Sequence, residues 1–157
     1  MLRGVYWRLA RFNALPAGDR WRLLLAGLGL PASALGVRLF GLRRWMQVVE
    51  RTARRRTSGQ APDVQLKKAG ECGRLVAIAS RHAPYPGNCL SRSLTLWWLL
   101  LGQGIQTDLR IGVTRPLGQF EAHAWIEYSG VVINDRPDVG RRYSTFDRAI
   151  NSAARFV

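Results

Sequence analysis

Three residue types that cooperate in covalent catalysis follow one another in the second half of the chain: Cys89, His123 and Asp135. Cys89 lies where a loop turns into a predicted helix, His123 lies within a predicted strand, and Asp135 ends the next strand. A thiolate can attack a carbonyl carbon, an imidazole can accept and return a proton, and a carboxylate can orient the imidazole. This order predicts a cysteine hydrolase or acyltransferase with a Cys-His-Asp triad.

The setting of Cys89 favours its role as the nucleophile. Two prolines and Gly87 predict a loop over Ala83–Asn88, and Cys89–Gly102 follows as a helix that is apolar nearly all round and therefore buried. The unpaired N–H groups and the dipole at a helix N-terminus stabilise a thiolate. Arg92 can add positive charge if it turns toward the sulfur. The backbone N–H of Cys89 is a candidate oxyanion donor.

The other thiol has no such setting. Cys72 lies inside a second predicted helix, Val64–His82, and is interpreted as a structural residue. His82 ends that helix as a C-terminal cation with only a weak claim to contact substrate. The chain has two cysteines and no CxxC pair or Cys/His cluster, so we expect reduced thiols in a cytoplasmic protein, no metal site and no cofactor.

The candidate base and acid, His123 and Asp135, lie on predicted strands. The period of the pattern changes after Gly102, and strands are predicted over Thr107–Val113, Phe120–Tyr128 and Val131–Asp135, with a turn at Ser129-Gly130. Along the second strand, His123 shares a face with Trp125 and Glu127.

The register of the hairpin decides whether His123 can meet Asp135. A three-residue turn, Tyr128-Ser129-Gly130 with Gly130 at positive φ, pairs Glu127 with Val131 and Trp125 with Ile133, and places His123 opposite Asp135. A two-residue turn shifts the pairing by one and directs Asp135 to the other face. The catalytic interpretation therefore predicts the longer turn.

Three other carboxylates compete for the imidazole. Asp138 lies past Pro137 in a predicted loop, whereas Glu121 and Glu127 lie on the same strand as His123. Neighbours on one face of a strand are about 7 Å apart and lean outward, so they orient an imidazole poorly. Asp135 is the preferred acid.

The rest of the chain predicts one core with a basic extension. Of 157 residues, 47% are hydrophobic, enough for a core. The chain has 24 Lys and Arg against 10 Asp and Glu, and this net charge of +14 favours anionic partners. We expect a basic helical segment over residues 1–60 and a catalytic domain over residues 61–157, with a polar break at Thr57–Asp63. The tail Thr145–Val157 is open between helix and strand.

The N-terminal segment carries an apolar run that needs a separate interpretation. Residues 1–8 lack the pattern of a signal peptide. Between Trp21 and Leu42 the apolar residues are interrupted by Arg22, Pro31 and Arg38, so we predict two buried or surface-lying helices broken at Pro31 rather than a membrane span.

Four segments of the chain resemble one known family. Asn88–Leu94, Leu109–Val113, His123–Glu127 and Val132–Asp135 look like the leader peptidases of lasso-peptide biosynthesis, a branch of the transglutaminase-like, papain-related cysteine hydrolases. The resemblance implies an α+β fold in which the catalytic helix packs on an antiparallel sheet and a basic helical segment precedes this core. It places the family's nucleophile, base and acid on Cys89, His123 and Asp135.

The resemblance also implies partners. The substrate is a ribosomally made precursor peptide whose leader is removed, and a separate ATP-dependent cyclase, a further possible partner, then closes the ring. A separate small leader-recognition protein delivers the precursor, because nothing in residues 1–60 resembles such a recognition domain.

Other functions stay open on the residues alone. A transglutaminase-like acyltransferase or amidase would use the same triad on another peptide. A non-enzymatic nucleic-acid-binding protein fits the charge, but the arginines are scattered and not interleaved with aromatic residues in a binding motif, so we expect no nucleic-acid partner. Contact of the basic N-terminal helices with an anionic membrane surface is compatible with peptidase activity.

Overall fold

A computed structural model describes residues 15–53, 58–82, 85, 87–115 and 119–145. The predictions for the first eight residues, for part of the polar break and of the loop before Cys89, and for the tail beyond residue 145 fall wholly or partly outside these residues.

The described chain combines four helices with one antiparallel sheet. The helices are α1 (Ala17–Thr52), α2 (Pro62–His82), α3 (Cys89–Gly102) and α4 (Val139–Arg142). The strands are β1 (Asp108–Thr114), β2 (Glu121–Tyr128), β3 (Val131–Val132) and β4 (Ser144–Thr145), in the sheet order β3-β2-β1-β4. The predicted α+β class, with a helix-rich N-terminal part before the sheet, is confirmed. The short helix α4, in a segment for which the sequence predicted no element, was missed.

Helix α3 lies at the centre of the core. Leu94, Leu96 and Leu100 are fully buried, and the helix contacts α1, α2 and the face of β2 that carries Ala124 and Ile126. The prediction of a buried helix over Cys89–Gly102 is confirmed to the residue. Burial of such large apolar side chains, each contributing about 1.5–3 kcal/mol, makes α3 the element around which the others are arranged.

The break predicted at Pro31 is wrong. Helix α1 continues through Pro31 and is interrupted at Gly41, where φ is 76°. Proline removes one helical N–H, but burial of Leu30 and its neighbours holds this part of the helix in place. Glycine adopts positive φ without a Cβ clash, so the chain turns there.

Helix α1 is integral to the core. A Cβ on Gly29 would come within 2.7 Å of a methyl carbon of Thr95, and the Ser33 and Thr95 hydroxyls lie 3.3 Å apart. Small residues thus let α1 approach α3 closely. The division into a segment 1–60 and a domain 61–157 stays a prediction.

By length and composition, α1 alone among the described helices could cross a membrane. Its most apolar window has a mean hydropathy of 1.7, and 28% of that window is buried within the protein. Helices of soluble cores and signal sequences near an N-terminus have the same character, so this finding alone does not assign a location.

The predicted hairpin register is also wrong. The turn has two residues, Ser129 and Gly130, both at positive φ (48° and 81°), and Tyr128 pairs with Val131. This is the type I′ geometry, whose twist matches that of the flanking strands. Ser129 is a less usual residue than Asn or Asp at this position, so the composition of the turn gave a poor guide to its length. The positive φ predicted at Gly130 is present.

Candidate active site

His123 and Asp135 meet in spite of the shorter turn. The Nε2 atom of His123 lies 2.5 Å from Oδ2 of Asp135. Strand β3 ends at Val132, and residues 133–135 form a bend that leaves the sheet. The alternation of side chains along a strand therefore no longer governs Asp135, which reaches the face on which His123 lies.

Side chains replace the main-chain pairing that a longer β3 would make. The N–H of Ile133 still donates to the carbonyl of Ile126, but the N–H of Ile126 donates to Oδ1 of Asn134 (2.8 Å). The Asn134 amide donates to the hydroxyl of Ser93 on α3 (2.9 Å), and that hydroxyl donates to the carbonyl of Ala124 (3.0 Å). These bonds fix the residue before Asp135 to both α3 and β2.

The second oxygen of Asp135 is also engaged. Its Oδ1 accepts the main-chain N–H of Arg136 at 2.7 Å, so both oxygens of the carboxylate are hydrogen-bonded. The three competing carboxylates make hydrogen bonds with other side chains. Asp138 pairs with Arg136, Glu121 accepts the phenol of Tyr143, and Glu127 accepts from Trp125 and Arg110.

Cys89 is the first residue of α3, directly after a formed N-cap. The side-chain oxygen of Asn88 accepts the N–H of Ser91 at 2.8 Å, and the main-chain carbonyl of Asn88 accepts the N–H of Arg92 at 3.1 Å. The N–H groups of Cys89 and Leu90 are first-turn donors, for which a helix supplies no internal partner. The half-buried thiol of Cys89 therefore lies in the positive end of the helix dipole.

Gly87 makes the entry to this helix possible. Its φ is 70°, and a Cβ there would lie 2.7 Å from the Ser91 hydroxyl oxygen and 3.1 Å from a methyl carbon of Leu30. Both the backbone angle and the space exclude a larger residue, in line with the sharp turn expected at this position.

Cys89, His123 and Asp135 line one open pocket. Its other lining residues are Arg92, Ala124 and Asn134, together with Gly73, Val76 and Ala77 of α2. A Cβ on Gly73 would lie 3.2 Å from the carbonyl oxygen of Ile133, so glycine lets α2 approach the bend that carries Asp135. Arg92 is thus among the residues that line the pocket of the thiol.

An aromatic layer covers the imidazole of His123 on the face of the sheet that points away from α3. The ring of Tyr143 stacks on His123 with centroids 4.9 Å apart, and Trp125 lies beside both rings. The hydrogen bond to Glu121, followed by burial, raises the pKa of Tyr143, so the phenol stays a neutral donor. Tyr143 was missed because it lies beyond the segment where the motif is recognisable.

Gly112 makes room for this layer. It pairs with His123 on β2 and with Thr145 on β4, and a Cβ there would lie 2.8 Å from Cβ of Tyr143 and 3.0 Å from the Trp125 ring. We expect Gly112→Ala to lower the free energy of unfolding by about 1–3 kcal/mol, since neither contact is with a flexible chain end. Urea unfolding measures the change.

Gly70→Ala is the matched control for this substitution. Gly70 is exposed on α2, and no heavy atom lies within 4 Å of the position that a Cβ would take. Alanine there should raise the free energy of unfolding by about 0.5–1 kcal/mol, because it favours the helix over glycine. Equal effects of the two substitutions would show that the aromatic layer does not constrain Gly112.

The remaining candidates do not join the pocket. Cys72 is buried, and burial raises the pKa of its thiol, which accepts a hydrogen bond from the Gln103 amide at 3.0 Å. His82 is exposed at the end of α2 and is not among the pocket residues. Within the described parts of the chain, no group of three His, Cys, Asp or Glu side chains is placed to hold a metal ion.

The arrangement can carry out acyl transfer through a thioester. Asp135 holds Nε2 of His123, which leaves Nδ1 as the ring nitrogen available to exchange a proton with the Cys89 thiol. The N–H of Cys89 is a donor for the oxyanion that forms when a thiolate adds to a carbonyl. The catalytic roles of the three residues stay predictions.

Comparison with known proteins agrees with this fold. A family model described as the transglutaminase-like superfamily matches residues 32–147, a stretch that runs from α1 to just past β4. Comparison with curated proteins and with solved structures gives no match. Proteins of this superfamily are usually cysteine peptidases or acyltransferases. Since the match covers well over half of the chain, the protein belongs to the transglutaminase-like superfamily.

Proposed function

We propose that the protein is a cysteine peptidase that removes the leader from a lasso-peptide precursor through Cys89, His123 and Asp135. The observation that carries the proposal is a thiol on a helix N-terminus in the same pocket as an imidazole held by a carboxylate. Membership of the transglutaminase-like superfamily supports cysteine-dependent peptidase or acyltransferase chemistry. The narrower substrate class is supported by the resemblance of the motif segments to leader peptidases.

The proposed reaction has two halves. His123 takes the proton of Cys89, and the thiolate sulfur attacks the carbonyl carbon at the end of the leader. The peptide C–N bond then breaks, the leaving amine of the core peptide takes the proton from His123, and the leader remains as a thioester on Cys89. Water, deprotonated by His123, hydrolyses the thioester and restores the thiol. The freed amine is the group that a separate cyclase would join into a ring.

The charge of the chain suits docking of an acidic peptide or partner. The net charge is +14, and Arg92 borders the pocket. A separate small recognition protein would bring the precursor to this surface. Because exposed charges are screened by salt, rising ionic strength should weaken binding of the precursor or of this partner.

The experiment is cleavage of a precursor peptide in the presence of its recognition protein, followed by mass spectrometry in isotopically labelled water. We expect free core peptide and a leader that carries the label at its new carboxyl group. A leader joined to an added amine instead of water would favour the acyltransferase alternative. Tight DNA or RNA binding with a steep salt dependence, and no thiol-dependent cleavage, would favour the nucleic-acid-binding alternative and contradict the proposal.

A further inference from the structure

The outward face of α1 carries an apolar stripe with no partner among the described residues. Trp21, Leu24, Leu28, Leu35 and Leu39 are each between 50% and 70% exposed. They are separated by three, four, seven and four residues, the spacing that places side chains along one side of a helix. A continuous row of exposed large apolar side chains marks a surface that contacts something else.

This face is opposite to the one that holds α1 in the core. Ala26 and Leu30 are fully buried, and Ser33 lies against Thr95 of α3. Leaving the core to cross a bilayer would expose these residues and separate α1 from α3. The stripe is therefore available only to a partner that lies along the outside of the helix.

The charges on α1 select the kind of partner. Arg20 and Arg38 are eighteen residues apart, five full helical turns, so both flank the stripe on the same side. The helix contains six arginines, and its acidic residues, Asp19 and Glu50, lie near its two ends, where Asp19 is paired with Arg22. A second copy of this chain would bring two proteins of charge +14 together, which their repulsion opposes.

We propose that the outward face of α1 rests on an anionic membrane surface, with the leucines in the acyl boundary and the arginines on the lipid phosphates. The stripe offers leucines and one tryptophan, with few groups that could specify hydrogen bonds to a protein partner. An aliphatic row with an aromatic residue and flanking arginines has the composition of helices that lie in the plane of the membrane interface. The proposal does not depend on the peptidase activity.

The test is co-sedimentation of the whole protein with lipid vesicles. The protein should bind vesicles of equal parts phosphatidylcholine and phosphatidylglycerol, and bind pure phosphatidylcholine weakly. Leu28→Gln with Leu35→Gln should weaken binding about ten-fold or more by removing buried apolar area. Arg20→Gln with Arg38→Gln should weaken it about five-fold per residue on anionic vesicles only.

Matched variants distinguish binding through the stripe from non-specific binding through other exposed apolar or basic side chains. Phe120→Gln with Val131→Thr removes exposed apolar side chains from the sheet, and Arg74→Gln with Arg115→Gln removes the same charge elsewhere. Both should bind vesicles like the wild type. Brominated acyl chains should quench the fluorescence of the wild type more than that of Trp21→Phe.

Three results would overturn the proposal. One is failure to bind anionic vesicles. The second is equal loss of binding in the stripe variants and their controls. The third is that the protein does not bind the vesicles but binds an acidic protein partner through the stripe, so that Leu28→Gln and Leu35→Gln weaken this binding. Circular dichroism checks that each variant is folded, which is expected because the substituted side chains are exposed or, for Arg20, half-buried.

Discussion

Cys89→Ala is expected to lower kcat/KM for thiol-dependent cleavage by about 10⁵-fold or more, because the nucleophile of the proposed reaction is removed. The fold should persist, since Cys89 is only half-buried and the N-cap is formed by Asn88. Single-turnover cleavage monitored by mass spectrometry gives the rate, and thermal unfolding gives the stability of the variant.

The second thiol supplies the control. Cys72→Ala should keep most of the activity and lose about 1 kcal/mol of stability, since it removes one buried sulfur. Iodoacetamide at neutral pH should modify Cys89 first, because Cys72 is 1% exposed and burial raises its pKa. Faster labelling of Cys72, or an active Cys89→Ala variant, would contradict the assignment of the nucleophile.

Asp135→Ala is expected to lower kcat by about 10⁴-fold, the size of loss seen when the acid of a triad is replaced. The imidazole then loses both its orientation and the negative charge that stabilises its protonated form. Asp135→Asn should lower kcat by a similar factor without unfolding the protein, because the amide can hold the ring but favours the wrong tautomer and does not stabilise the imidazolium.

A neighbouring carboxylate tests whether the effect is local. Asp138→Asn removes a charge three residues away that pairs with the exposed Arg136 and should leave kcat almost unchanged. Equal losses for the two aspartates would indicate a general electrostatic effect, and an unchanged rate in Asp135→Ala would exclude Asp135 as the orienting acid. Unfolding of each variant in urea separates a catalytic effect from a loss of structure.

The elements that carry the site could be predicted because their signals are local. Two prolines and a glycine before Cys89, followed by an apolar run, predicted where the buried helix begins. Alternation along β2 predicted that His123 and Trp125 share a face. These signals depend on backbone restrictions and on burial within one element, so they are present in a short stretch of sequence.

The contact between His123 and Asp135 was predicted for the wrong structural reason. It was derived from a three-residue turn, whereas the turn has two residues and the contact arises from the bend after Val132. That bend depends on Asn134, which accepts the N–H of Ile126 and donates to the hydroxyl of Ser93, a residue distant in sequence. Strand periodicity cannot indicate where side chains take over main-chain pairing.

The aromatic layer also depends on contacts between residues that are distant in sequence, so sequence patterns could not predict it. Tyr143 lies over His123 only because Gly112, on a different strand, leaves the space, and because β4 returns to pair beside it. Likewise, the continuation of α1 through Pro31 depends on packing against α3. Such features follow from tertiary contacts that override local propensity.

The side-chain hydrogen bonds at the end of β3 also bear on the solubility of the protein. A strand edge with unpaired N–H and C=O groups is a template for pairing with another molecule, which leads to aggregation. Along β2, the N–H of Ile126 and the carbonyl of Ala124 are capped by Asn134 and Ser93, so a foreign strand cannot use them. The residues that bring Asp135 to the imidazole therefore also close this edge of the sheet against other chains.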